Sequence, residues 1–127
     1  MLKVRSAFAS FSTNDIDAAR AFYGDKLGLE VKDTQLGVIE VMAGADQHVT
    51  IYPKPNHEPA TFTVLNFMVP DIDEAVDDLA AMGIAMEHYH MPEMQQDAKG
   101  IARDPDGSAI AWFKDPAGNI LAVIAES

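Results

Sequence analysis

An internal repeat constrains the fold of this chain more than any other feature of its sequence. One copy begins at Asp15 and ends at Gly28, and the other begins at Asp71 and ends at Gly83. Each copy opens with an aspartate, which suits the N-cap of a helix, and closes on a glycine that can adopt the left-handed conformation beyond a helix. Apolar residues recur at helical spacing in between. The repeat therefore predicts one helix in each of two similar modules.

The acidic residues at these two helix starts have a structural use. Asp71 and Glu74 have the spacing of a capping box, and carboxylates in a first turn interact favourably with the helix dipole. We therefore expect Asp15, Asp17, Asp71 and Asp73 to stabilise helices rather than to take part in catalysis.

Strand-like runs surround both helices, one before each helix and three after it. The prediction is an α+β fold made of two tandem βαβββ modules. In the first module the predicted strands are residues 7–12, 29–33, 37–42 and 48–52, and in the second they are residues 62–69, 84–90, 109–114 and 120–125.

Three irregular segments divide these elements. Residues 53–59 contain three prolines, which favour an extended linker between the modules. Residues 115–119 read Asp-Pro-Ala-Gly-Asn and predict a hairpin turn. Residues 91–107 form an unusually long connection, which is typical of the rim of a binding site. We expect one domain at residues 1–127, with a first module at 1–58 and a second at 59–127.

Composition excludes several classes of function. The chain has no cysteine, which removes disulfides, thiolate metal sites and cysteine nucleophiles. A net charge of −11 repels nucleic acid and anionic membranes. The N-terminus lacks the pattern of a signal peptide and no apolar run is long enough to span a bilayer, so we expect a cytoplasmic protein.

Two kinds of catalytic or cofactor motif are also missing. The glycines do not have the spacing that cradles phosphates, so no nucleotide cofactor is expected. Ser10 and Ser12 lie in the first predicted strand without a nucleophile-elbow motif or an evident histidine partner. The sequence therefore gives no support to nucleophilic hydrolysis.

The chain resembles the vicinal oxygen chelate superfamily, which includes glyoxalases, bleomycin resistance proteins and extradiol dioxygenases. The resemblance rests on Asp15-Ile16-Asp17 leading to Phe22-Tyr23 and Leu27-Gly28-Leu29, together with Phe113 to Asn119, and it covers nearly the whole chain. It implies that the sheets of the two modules curl around a central cavity. It also implies assembly as a homodimer, as in many members.

Enzymes of that superfamily place a divalent metal in the cavity, with one ligand from each of four strands. By this resemblance the four positions fall on Phe8, Thr50, Val64 and Ala122. Phenylalanine, valine and alanine side chains cannot coordinate a metal, and one threonine hydroxyl is too few donors for a catalytic divalent ion. We therefore expect no metal and no other cofactor.

Strand alternation separates a core face from a cavity face. The expected core set is Val49, Ile51, Leu65, Phe67, Val69, Leu121 and Val123. The expected ligand-binding set is Phe8, Ser10, His48, Thr50, Tyr52, Val64, Asn66, Trp112 and Ala122, with Met68 on the same face. Its mostly apolar character suits an organic ligand, and we predict that Phe8, Tyr52, Asn66 and Trp112 line one pocket.

The stretch from His88 to Met94 is the densest cluster of donor side chains. Histidines at positions i and i+2 of a strand share one face, so copper or zinc binding is conceivable. The spacing matches no established metal site, and we expect a strand end with exposed histidines and space-filling methionines instead. His48 and His57 stand alone in the sequence and are minor candidates for a base.

These observations favour a metal-independent protein that binds a small molecule, with sequestration of a cationic or aromatic compound as its use. The alternative is a metal-dependent lyase, isomerase or dioxygenase of the same superfamily. The number of metal donors in the cavity distinguishes the two, and fold resemblance alone does not decide whether the chain is an enzyme.

Overall fold

The computed structural model describes residues 1–127, and each half of the chain has the element order βαβββ. The chain divides into two units, Met1–Glu58 and Pro59–Ser127. Each unit contains one four-stranded mixed sheet with helical segments on one face. This confirms the predicted α+β fold with two βαβββ modules.

The first unit contains strands β1 to β4 and a short helix. Its sheet has the order β1-β4-β3-β2, in which β1 and β4 are parallel and the other neighbours are antiparallel. The helix α1 continues as a π-helix over Ala21–Lys26, and a 3₁₀ turn lies between β2 and β3. The bounds are β1 Ala9–Thr13, α1 Ile16–Arg20, β2 Glu30–Asp33, β3 Ile39–Met42 and β4 His48–Pro53.

The second unit contains strands β5 to β8 and a regular helix. Its sheet repeats the first topology with the order β5-β8-β7-β6, and β5 is again parallel to its neighbour. The predicted strands 109–114 and 120–125 are confirmed to the residue. The bounds are β5 Thr63–Met68, α2 Ile72–Ala81, β6 Ala102–Arg103, β7 Ala109–Lys114 and β8 Ile120–Ala125.

Both helices begin where the repeat predicts. The Asp15 carboxylate accepts a hydrogen bond from the Ala18 backbone N–H at 3.0 Å, and Asp71 accepts one from Glu74 at the same distance. Each satisfies a backbone donor that the first helical turn leaves unpaired. This structural use of the two aspartates agrees with the prediction that they cap helices.

The face of each sheet that meets its helix is the apolar one. In the first unit Phe11 on β1 contacts Tyr23 on the helical segment, with ring centroids 6.4 Å apart. Among the predicted core residues, Val49, Ile51, Leu121 and Val123 are buried, whereas Leu65, Phe67 and Val69 are half-buried. The latter three lie on or just beyond β5, which is an edge strand and has a neighbour on one side only.

The predicted strand at residues 84–90 is wrong. The backbone there makes one strand-like bond, from the Glu87 N–H to the Trp112 carbonyl at 2.8 Å, and forms no regular strand. The Gln96 side chain supplies the next partners, since its amide oxygen accepts from the Tyr89 N–H and its amide nitrogen donates to the Glu87 carbonyl. Strand β6 instead forms later, at Ala102–Arg103, within the segment predicted as a loop.

The proline-rich linker contains a turn and is not extended throughout, because the His57 N–H donates to the Lys54 carbonyl at 3.0 Å. The predicted hairpin is present: Asp115 and Asn119 are bonded through their backbones, and Gly118 has the positive φ of 83° that the turn needs. None of the helices is long and apolar enough to cross a membrane.

Candidate functional site

The face of the second sheet that lies away from α2 carries Trp112, Ala122 and Asn66 side by side. These residues are paired across β7, β8 and β5, and paired residues of neighbouring strands point to the same face. Asn66 is exposed and Trp112 half-buried, whereas Ala122 has no exposed surface. A ligand on this face can therefore touch Trp112 and Asn66 directly, but it can touch Ala122 only if neighbouring side chains move.

Trp112 lines an apolar cavity of about 330 Å³. Tyr89 packs against it in a T-shaped arrangement, with ring centroids 5.5 Å apart and an interplanar angle of 73°. Phe62 forms part of the wall and is itself 67% exposed. The complete lining is Thr61, Phe62, Thr63, Tyr89, Met91, Trp112 and Ile120. Three aromatic rings and a methionine around a concave space are typical of a site for a flat organic molecule.

A second concavity, of about 500 Å³, lies on the same unit and shares Tyr89 and Met91 with the first. It is formed entirely by one segment, and its lining is His88, Tyr89, His90, Met91, Pro92, Met94, Gln95 and Gln96. The two histidines are at least partly exposed, as expected for the end of an extended segment. This cavity is more polar in its residues than the first.

The Gln96 side chain holds in place the segment that contributes Tyr89 and Met91 to both concavities. Beyond its two bonds to residues 87 and 89, its amide nitrogen donates to the Gly100 carbonyl at 2.8 Å. Gly100 has a φ of +87°, and a Cβ atom there would lie 3.3 Å from the Glu87 carbonyl oxygen. The close backbone approach and the glutamine bonds fix Tyr89 next to Trp112, because three hydrogen bonds from one side chain leave the loop little freedom.

The Tyr89 hydroxyl is the one buried side-chain nitrogen or oxygen in the chain that has no hydrogen-bond partner. Burial raises the pKa of Tyr89 above its usual value, and the nearby Glu87 carboxylate raises it further. The group is therefore a neutral donor throughout the neutral pH range.

The face of the first sheet that lies away from its helical segment, here called its open face, is richer in polar groups than the corresponding face of the second sheet. Phe8, just before β1, is 62% exposed and stacks on His48, with ring centroids 5.1 Å apart. The next row holds Ser10, Thr50 and Glu40, which are paired across β1, β4 and β3. Ser12 and Tyr52 form a third row on this face.

Ser12 and His57 form a hydrogen bond of 2.6 Å between the serine oxygen and the Nδ1 atom. The expectation that Ser12 has no histidine partner is therefore wrong. The partner was not evident in the sequence because the two residues are joined only when the linker turns back beside β1. The bond ties the linker to the first strand.

Apart from Val64, the residues predicted to bind ligand therefore fall on the sheet faces that lie away from the helical segments. Phe8, Ser10, His48, Thr50 and Tyr52 lie in the first unit, and the others lie in the second. Val64 sits at an irregularity, because the pairing of β5 with β8 shifts between Thr63 and Leu65. That Phe8, Tyr52, Asn66 and Trp112 line one pocket stays a prediction.

Five residues of the apolar cavity were missed in the sequence, whereas Met91 begins the segment 91–107 that was predicted as a rim. The five are Thr61, Phe62, Thr63, Tyr89 and Ile120. Ile120 could have been found from strand alternation in the sequence, because it lies two residues from Ala122 on the same face of β8. Tyr89 has no such signal, because its position depends on the irregular path of residues 84–101 and on the Gln96 bonds.

The side chains at the four implied ligand positions do not fit a divalent metal. Phe8 stacks on a histidine ring, Ala122 is covered, and neither they nor Val64 offers a lone pair. No group of three or more histidine, aspartate or glutamate side chains in the chain is arranged to hold a metal ion.

The chain matches one known protein family along most of its length. The model of the Glyoxalase/Bleomycin resistance protein/Dioxygenase superfamily matches residues 6–123. No curated protein matched the chain in a sequence search.

Solved structures of similar fold cover almost the entire chain. A lactoylglutathione lyase from Agrobacterium tumefaciens is 27% identical, with a TM-score of 0.67 over 97% of this chain and 95% of its own. A putative glyoxalase family protein from Bacillus anthracis is 23% identical, with a TM-score of 0.72 over all of both chains. A fosfomycin resistance protein from Listeria monocytogenes is 13% identical, with a TM-score of 0.70 over 99% of this chain and 96% of its own.

Proposed function

The chain belongs to the Glyoxalase/Bleomycin resistance protein/Dioxygenase superfamily, and from this premise we propose that it binds an aromatic small molecule without a metal. The apolar cavity beside Trp112 carries the proposal. Its rings offer stacking and edge contacts, each worth about 0.5 to 1.5 kcal/mol beyond the area they bury. The acidic net charge of −11 favours ligands that are neutral or cationic.

The proposed ligand-binding residues extend beyond this cavity. On the second unit they include Asn66 and Ala122, on the same sheet face as Trp112, and Val64 at the irregularity of β5. The open face of the first unit is a further proposed contact surface, where Phe8 and Tyr52 offer rings beside polar groups. Its remaining proposed contacts are Ser10, His48 and Thr50. Such a protein would act by sequestering its ligand.

The proposal is tested by measuring metal content and ligand binding on the same preparation. Elemental analysis of protein purified without chelators is expected to find less than a stoichiometric amount of any divalent metal. A screen of aromatic compounds by thermal shift is expected to find ligands that raise the unfolding temperature, since a ligand of the native state stabilises by about 2.7 kcal/mol at a hundredfold excess over Kd. Near one equivalent of zinc, nickel, manganese or iron would contradict the proposal.

A metal-dependent lyase, isomerase or dioxygenase is the second candidate. It is favoured by the 27% identity to a structure described as a lactoylglutathione lyase. The two candidate functions predict different responses to a chelator. Stability and any activity are unchanged by chelation if the protein binds ligands without a metal, and they fall if a metal is held.

We also propose that the protein forms a homodimer in the cytoplasm. The edge strands β1 and β5 carry exposed apolar groups at or near their ends, among them Phe8 and Met68, which is 59% exposed. Exposed sheet edges are commonly covered by a partner. Light scattering that gives a monomer mass across micromolar concentrations would contradict the dimer.

A further inference from the structure

The Tyr89 hydroxyl has no role in the packing of the protein by itself. The ring makes the edge contact with Trp112 and lines both concavities of the second unit, and a phenylalanine ring would do the same. The hydroxyl adds a covered donor without an acceptor. A buried unsatisfied group of this kind destabilises a protein, and an acceptor that reaches it recovers the loss.

The surroundings of Tyr89 determine which acceptor suits it. The hydroxyl is neutral and available to donate, because burial and the Glu87 carboxylate both raise its pKa. Glu87 is itself paired with Lys114, whose amino nitrogen lies 3.5 Å from the carboxylate oxygen. The charge of Glu87 is thereby offset, but a negatively charged ligand would still be repelled by the net charge of the chain, whereas an uncharged acceptor is not.

We propose that Tyr89 makes the aromatic site selective for flat ligands that carry an uncharged hydrogen-bond acceptor, such as a ring nitrogen or a carbonyl, to which its hydroxyl donates. This inference rests on the proposed function, because it assigns a chemical class to the ligand of the same cavity. The hydroxyl oxygen is fully covered in the free protein. Binding of such a ligand therefore requires a change in the Tyr89 side-chain angle or in the side chains that cover it.

The experiment compares naphthalene with quinoline, which has the same shape and one ring nitrogen in place of a carbon. Trp112 is the only tryptophan in the chain, so the indole N–H signal in a two-dimensional proton–nitrogen NMR spectrum reports binding at this cavity. Wild-type protein is expected to bind quinoline roughly two- to tenfold more tightly than naphthalene. Tyr89→Phe is expected to bring the two affinities together, because it removes the donor and keeps the ring.

The stability of Tyr89→Phe tests the inference independently of ligand binding. Tyr89→Phe removes an unpaired hydroxyl, so its unfolding temperature should equal or exceed that of the wild type. A lower unfolding temperature would mean that the hydroxyl has a partner in the free protein, and the inference would be wrong.

The outcomes separate the two proposals. Equal binding of naphthalene and quinoline by the wild type overturns the selectivity of Tyr89 and leaves the aromatic site intact. If neither ligand shifts the Trp112 signal, neither binds at the cavity. That result would overturn the proposed aromatic site and the inference together. Naphthoate, which carries a carboxylate, is expected to bind more weakly than quinoline, and equal binding would overturn the preference for an uncharged acceptor.

Discussion

The two units share a topology but differ in the connection between the helix and the edge strand of the sheet. In the first unit β2 begins at Glu30, almost directly after Gly28, and the edge of the sheet is a regular strand. In the second unit β6 begins only at Ala102, well after Gly83, and the chain between them is irregular. That irregular segment contributes Tyr89 and Met91 to the apolar cavity. The longer connection has thus added a cavity wall to a repeated scaffold.

A second difference concerns the ion pairs that join each helix to its edge strand. In the first unit Arg20 on α1 pairs with Asp33 on β2, at 2.7 Å. In the second unit Asp73 on α2 pairs with Arg103 on β6, at 3.0 Å. Each unit thus joins its helix to its edge strand by an exposed ion pair, with the cation on the helix in the first unit and on the strand in the second.

The largest expected effect comes from removing the side chain that holds the irregular segment. Gln96→Ala deletes hydrogen bonds to residues 87, 89 and 100, and we expect a loss of about 2 to 3 kcal/mol in the free energy of unfolding. Aromatic probes should also bind more weakly, because Tyr89 loses its support. Chemical denaturation measures the loss, with Gln95→Ala at the exposed neighbouring position as control. Equal stability of the two variants would show that Gln96 does not hold the segment.

A smaller effect is expected from changing the cavity wall directly. Phe62 is 67% exposed, so Phe62→Ala should leave stability nearly unchanged while weakening aromatic ligands by about 0.5 to 1.5 kcal/mol, or up to roughly tenfold. Calorimetric titration measures the affinity. Leu36→Ala in the first unit, at a position that is 92% exposed, is the matched control. Equal affinities for the two variants would remove Phe62 from the site.

Substitution of the two capping aspartates tests whether the two copies of the repeat contribute equally to the free energy of unfolding. Asp15→Ala and Asp71→Ala should each lower the free energy of unfolding by about 1 kcal/mol, since each deletes one capping bond. Thermal unfolding measures both. Asp78→Ala, near the end of α2, removes a carboxylate from the negative end of a helix and should not destabilise. A loss confined to one cap would show that only one unit depends on its helix start.

The smallest expected effect is a pH dependence of the Asp73–Arg103 pair. The Arg103 hydrogen bond lowers the pKa of Asp73 below its usual value of 3.8. Because the folded-state pKa is depressed, the contribution of the pair is complete above that value and is lost as the pH falls through the lower folded pKa. The stability difference between wild type and Arg103→Gln should therefore shrink below about pH 4. Urea unfolding at several pH values measures it, and a difference that grows on acidification would contradict the assignment.

Much of the scaffold is encoded in local patterns. The capping aspartates and closing glycines determine where both helices begin and end, and the period of two in apolar residues determines which strand face is buried. Those signals correctly predicted Val49, Ile51, Leu121 and Val123 as core residues, and strands 109–114 and 120–125. They are local because each depends on neighbours within a turn or along one strand.

The walls of the candidate site were decided by tertiary structure. Residues 84–90 have the alternation of a strand, but the Gln96 side chain takes the hydrogen bonds that a neighbouring strand would supply, and Tyr89 is set against Trp112 instead. Ser12 likewise meets His57 only because the linker turns back. The sequence by itself therefore determined the repeated scaffold, through caps, glycines and alternation. The pairing of distant side chains, which no local period encodes, was decided only when the chain folded.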